Sequence, residues 1–79
     1  MKAFNEKCDA VLHCLKNQDR VSWGRFTQET KIPKFDALLS YLKETKDYID
    51  YNDNYINITE KGKLFITGTS FVEQRNSIY

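Results

Sequence analysis

The sequence predicts a mainly helical α+β fold: a three-helix core, a two-stranded β-hairpin closing one side of it, and a C-terminal helical segment. Three observations point there. Phe35, Leu38, Leu39 and Leu42 recur at i, i+3, i+4 and i+7, the spacing that lines one face of an α-helix. Phe4, Cys8, Val11, Leu12 and Leu15 make a second such stripe. Beyond residue 47 the pattern changes, and Tyr48-Ile49-Asp50-Tyr51 and Tyr55-Ile56-Asn57-Ile58 flank Asn52-Asp53-Asn54, two β-type runs around a turn. With 79 residues the chain reads as a single domain over 1–79, and a chain this short needs a compact, well-filled core. An aromatic content of 14% lets few residues fill that core.

The elements follow in order. The first helix spans Ala3 to Lys16 and ends at Asn17, Gln18 and Asp19, after which Arg20-Val21 reads as a short extended link. Ser22 has the chemistry of an N-cap for a second, short helix carrying Trp23 and Phe26, which Gly24 weakens and which stops near Thr30-Lys31. Pro33 suits a first helical position and is expected to open the third helix, which runs to about Thr45 and is closed by Asp47. In the hairpin, Asp50 alternates with Ile49 and Tyr51, so one face should bury and the other stay wet. Thr59 caps a helical segment from Glu60 to Ile66, with Leu64 and Phe65 expected to face inward. Glu60 sits at the positive end of that helix dipole, and Gly62 permits a close backbone approach. Periodicity is lost over 67–79, where Phe71-Val72 marks either a loosely ordered tail or a docking segment.

Helix, link, helix, tight connection, helix, hairpin and helical end is the order of a winged helix, a helix-turn-helix variant. Here the chain resembles a family. Ile49-Asp50-Tyr51 through Ile58-Thr59-Glu60-Lys61-Gly62-Lys63 looks like the wing and post-wing signature of the multidrug-resistance-regulator and related winged helices. Phe35 to Leu42, followed by Tyr48-Ile49, is similar to their recognition helix and its exit into the wing. The resemblance covers residues 4 to about 66. One departure is Lys46-Asp47, between helix and wing, where family members usually place a Gly. The resemblance implies a small DNA-binding transcription regulator acting as a dimer, with the third helix in the major groove. Its contacts would come from Lys34, Ser40, Tyr41 and Lys43, aided by Lys31 and Lys46.

The charge map opposes that expectation in part. Twelve Lys and Arg stand against eleven Asp and Glu, a net charge of +1, so the overall balance says nothing for nucleic acid. With the leucine stripe buried, the third helix turns Pro33, Ala37, Ser40 and Glu44 outward, flanked by Lys34, Asp36, Tyr41 and Lys43. It has no Arg, Asn or Gln, the side chains that with Lys read most base edges, and Glu44 would repel phosphates. From Asp47 to Glu60 the wing carries Asp47, Asp50, Asp53 and Glu60 and no Lys or Arg. A basic patch would have to come from Lys31, Lys34, Lys43 and Lys46, with Arg20 and Arg25 nearby. The other reading is a protein-interaction module, its acidic wing and Phe71–Tyr79 segment meeting a basic or apolar partner, or a second copy of the chain.

Catalysis is not expected. His13, the sole histidine, falls on the polar side of the first helix, and the adjacent Cys14 diverges from it by about 100°. Cys8, His13 and Cys14 lack the paired spacing of a structural zinc site, and there is no glycine-rich phosphate loop, so no metal or cofactor is expected. Cys8 and Cys14 lie about 9 Å apart along one helix and cannot join in a disulfide while it is intact. Two unpaired cysteines and a charged Met1–Asp9 stretch without the pattern of a signal peptide point to the cytoplasm. The apolar runs are too short for a membrane span.

Overall fold

The computed structural model describes residues 3–18 and 20–76, with side chains through residue 73. The expected end of the first helix at Asp19, and the last three residues of the expected tail, lie outside the described residues, as does the start of the Met1–Asp9 stretch. Helix α1 (Phe4–Leu15) buries Cys8, Val11, Leu12 and Leu15 completely. Glu6 closes its start by accepting the Ala3 N–H at 3.2 Å, and Gln18 closes its end, its side-chain amide donating to the Cys14 carbonyl at 2.8 Å. Phe4 departs from the expected stripe. It is 48% exposed at the helix tip, and its ring meets the edge of Tyr41 at 5.3 Å.

The short link pairs as a strand. Val21–Ser22 (β1) lies antiparallel to Tyr55–Ile58 (β3), Val21 opposite Ile56 and Ser22 opposite Tyr55. The expected two-stranded hairpin is therefore a three-stranded antiparallel sheet, in the order β1-β3-β2, where β2 is Ile49–Tyr51. Two residues are too few to show a strand period, but Val21 is almost fully buried and its pairing is tertiary. Ser22 then caps α2 (Trp23–Thr30), its hydroxyl accepting the Arg25 N–H at 3.4 Å. The left-handed Lys31 (φ 54°) ends α2 with its N–H on the Thr27 carbonyl.

Pro33 does not open the third helix. Lys34 has φ 53°, and α3 begins only at Asp36, running to Ser40. The bend lets Ile32 reach the core while Phe35 packs edge-on against Phe26 at 5.4 Å, which a helix starting at Pro33 would not allow. Nor is the helix uniform to its end, because Tyr41–Thr45 forms a π-helical turn. The wider turn keeps Leu42 buried while Tyr48 donates its N–H to the Leu42 carbonyl at 2.9 Å. Asp47 makes the exit at φ 58°, the left-handed conformation usually given to Gly, so the departure noted in the sequence keeps that backbone geometry with an Asp.

In the hairpin, Ile49 faces Ile58, Asp50 faces Asn57 and Tyr51 faces Ile56. Ile49, Ile56 and Ile58 are buried and Asp50 is exposed, as the alternation requires. Asn52 ties the turn by accepting the Asn54 and Tyr55 N–H groups on its side-chain oxygen at 2.7 and 3.1 Å. Thr59 caps α4 (Glu60–Gly68), accepting the Gly62 N–H at 3.1 Å while its own hydroxyl donates to the Asp47 carbonyl at 2.7 Å. A Cβ at Gly62 would stand 2.3 Å from the Tyr48 carbonyl oxygen, so the close approach is real. It also sets the face of α4. Gly62, Phe65 and Ile66 point inward, and Leu64, about 200° around from Gly62, is 72% exposed rather than packed.

A further helix, α5 (Phe71–Asn76), forms within the expected tail and docks on α1. The Asp9 carboxylate accepts the Phe71 and Val72 N–H groups at 2.8 and 3.2 Å, and Ser70 accepts that of Glu73 at 3.0 Å. Phe71 is buried in the core.

Candidate interaction surface

The start of α3, the start of α2 and the hairpin turn meet around an open groove of about 690 Å³. Ser22, by fixing the first turn of α2, holds Trp23 at its centre. The indole N–H donates to the Asn52 carbonyl at 2.7 Å, tying α2 to the hairpin tip across 29 residues of sequence. Its ring stacks on Phe35 (5.9 Å, 15° between planes) and meets Tyr51 edge-on (5.8 Å, 73°). All three rings are half-buried, which leaves part of each facing the groove. Leu39 and Ser40 continue the wall on α3, and Asp36 and Asp53, both exposed, stand at the helix start and the hairpin turn. Among the described residues no Lys, Arg or His lines it.

The residues expected to contact DNA do not form one basic patch. Lys31 and Lys34 are exposed, each in a left-handed conformation in the α2–α3 connection. Lys43 instead turns to the hairpin, its ammonium 3.5 Å from Asp50 and 4.6 Å from the centre of the Tyr51 ring. Half-buried Lys46 lies 6.0 Å from the Tyr41 ring centre, and Tyr41 in turn packs against Phe4 and Phe71. The Ser40 hydroxyl is 3.5 Å from the Glu44 carboxylate. Arg20 sits over Tyr55 at 4.9 Å, and Arg25 pairs with Glu29 at 2.6 Å. The structure thus brings Lys43 to the wing but engages its charge, and leaves Lys31 and Lys34 as the exposed cations of the set.

Sequence reading missed Trp23 and Asn52 as parts of a site. The acidic wing was visible, but the indole-to-Asn52 bond joins distant segments and has no sequence signature.

Burial, aided by the nearby Asp9 charge, pushes the Cys8 thiol up to about 12. Cys14 is pushed up to about 11 by burial and by its hydrogen bond to Glu29, to which the thiol donates at 3.5 Å. Glu29 is held below the usual carboxylate range, first by Arg25 and then by Cys14. Both thiols are free and protonated at neutral pH, the opposite of an activated nucleophile. Among the described residues no three His, Cys, Asp or Glu gather as a metal site, and no helix is long and apolar enough to cross a membrane. Comparison with family models, characterised proteins and solved structures finds no match to this chain.

Proposed function

We propose that the chain is a winged-helix domain working as a protein-interaction module rather than by binding nucleic acid. Support for the winged helix comes from the order helix, strand, helix, helix, hairpin, with β1 pairing to the hairpin's second strand in the order β1-β3-β2. The observation that carries the functional reading is the groove between α3 and the hairpin. There, where a DNA-reading winged helix needs cations for phosphates, this chain has aromatic rings flanked by Asp36 and Asp53, and Lys43, beside Tyr51, is paired with Asp50. Such a face repels a phosphate backbone and suits a partner with apolar and basic side chains.

The test is a titration of the domain into a fluorescent duplex of arbitrary sequence at low salt, read by anisotropy. The expected result is no saturable binding. Binding that weakens steeply as salt rises would overturn the reading.

A second reading, a DNA-binding transcription regulator, is favoured by the exposed Lys31 and Lys34 in the connection between α2 and α3. It predicts duplex binding in that titration, lost when Lys31 and Lys34 become Ala.

A further inference from the structure

We infer that the groove between α3 and the hairpin takes an arginine side chain presented by a segment of a partner protein. This rests on the protein-interaction reading and names the chemistry of the site. Trp23 and Phe35 supply ring surfaces on which a flat guanidinium can stack, beside Tyr51, one face of which already carries Lys43. Asp36 and Asp53 supply acceptors on opposite sides of the groove, one from the helix and one from the hairpin turn.

Neither carboxylate has an ion-pair or hydrogen-bond partner among the described residues, whereas Asp50, one strand position before Tyr51, is already matched by Lys43. Neither aspartate is therefore matched by an ion pair among the described residues, and a cation from outside completes the groove. The same chain shows this chemistry on its own surface. Arg20 lies over Tyr55, and Lys43 combines an aromatic ring with a carboxylate.

Arginine fits better than lysine. Its planar head can lie against a ring while its forked N–H groups reach a carboxylate, and it sheds water more readily than an ammonium. A groove of about 690 Å³ exceeds one side chain, so neighbouring residues of the partner segment would rest on the aromatic floor. The Asn52 carbonyl is already engaged by Trp23 and its side-chain oxygen by the turn, which leaves the two aspartates as the charged acceptors for the guest.

The probe is a short capped peptide with a central arginine, compared with its lysine and citrulline counterparts and titrated into the 15N-labelled domain. Saturable movement of the Trp23 indole signal and of the Asp36 and Asp53 amides is expected, at roughly millimolar affinity for so small a ligand. Affinity should fall about tenfold for citrulline, which keeps the shape and loses the charge, and less for lysine. Asp36→Asn with Asp53→Asn should cause a similar loss in a domain whose unperturbed spectrum shows the same fold. Absence of movement at Trp23, or equal binding of citrulline, overturns the inference. A peptide that binds elsewhere would sink this site and leave the interaction reading standing. A duplex that shifts Lys31 and Lys34 while the peptide shifts nothing would sink both.

Discussion

The molecule has two clusters of aromatic rings, and they are finished in opposite ways. Under α4 and α5, Tyr48 stacks on Phe65 at 4.6 Å, and Phe71 comes within 4.8 Å of Phe65 and 5.9 Å of Tyr48. That cluster is closed by the chain itself, because Asp9 accepts the first two N–H groups of α5 and so holds Phe71 down. At the other cluster, Phe35 and Tyr51 both meet Trp23, but the three rings stay half-buried around an open groove, and two carboxylates without a partner among the described residues stand alongside. Where the chain turns a carboxylate to its own backbone, a ring, Phe71, becomes core. Where it leaves carboxylates facing outward beside rings, the surface is arranged for something else.

The closed cluster should therefore dominate stability, and substitutions can break or sharpen the contrast. The largest effect is expected from Phe71→Ala, which removes a buried ring and should cost about 3 kcal/mol in urea unfolding. Gly62→Ala should cost about 2 kcal/mol, because its methyl would collide with the Tyr48 carbonyl and force α4 away from the exit of the third helix. Asp9→Ala should cost about 1 kcal/mol, and hydrogen exchange should show faster exchange of the Phe71 and Val72 amides. Trp23→Phe, at the open cluster, keeps a ring and loses the bond to Asn52. Its cost should not exceed about 1 kcal/mol, the loosened part being the hairpin tip.

The thiols give a pH test that involves neither cluster. Both have pKa values raised in the folded state, from an ordinary value of 9.0 to about 12 for Cys8 and about 11 for Cys14. Above that ordinary value the unfolded chain releases protons that the folded chain retains. Stability is thus intact below about pH 9 and declines as pH rises toward 11 and 12, more for Cys8 than for Cys14. Repeating urea unfolding of the chain and of Cys8→Ala through this range should show the decline shrinking in the variant.

Much of this architecture is legible in the sequence wherever a local rule decides. The α1 stripe, the caps at Ser22 and Thr59, the hairpin alternation and the tight approach at Gly62 all follow from residue chemistry within a few positions. What is hidden depends on distant partners. The strand at Val21 exists because Ile56 is opposite it. The π-turn and the delayed start of α3 reconcile Ile32, Phe35 and Leu42 with one core, against the helix that Pro33 and the leucine spacing suggest. Leu64 turns outward because Gly62 fixes the rotation of α4. Half the candidate surface was visible as an acidic wing. The part that α2 adds was not, because Trp23 meets the hairpin through Asn52 and Tyr51, far away in sequence.

The most direct measurement is the unfolding free energy of the double variant Asp36→Asn, Asp53→Asn. If these carboxylates serve a guest and not the fold, the variant should unfold within about 0.5 kcal/mol of the parent. A loss well beyond about 1 kcal/mol would mean that both are already engaged inside the molecule, and the open groove would be only an ordinary piece of surface.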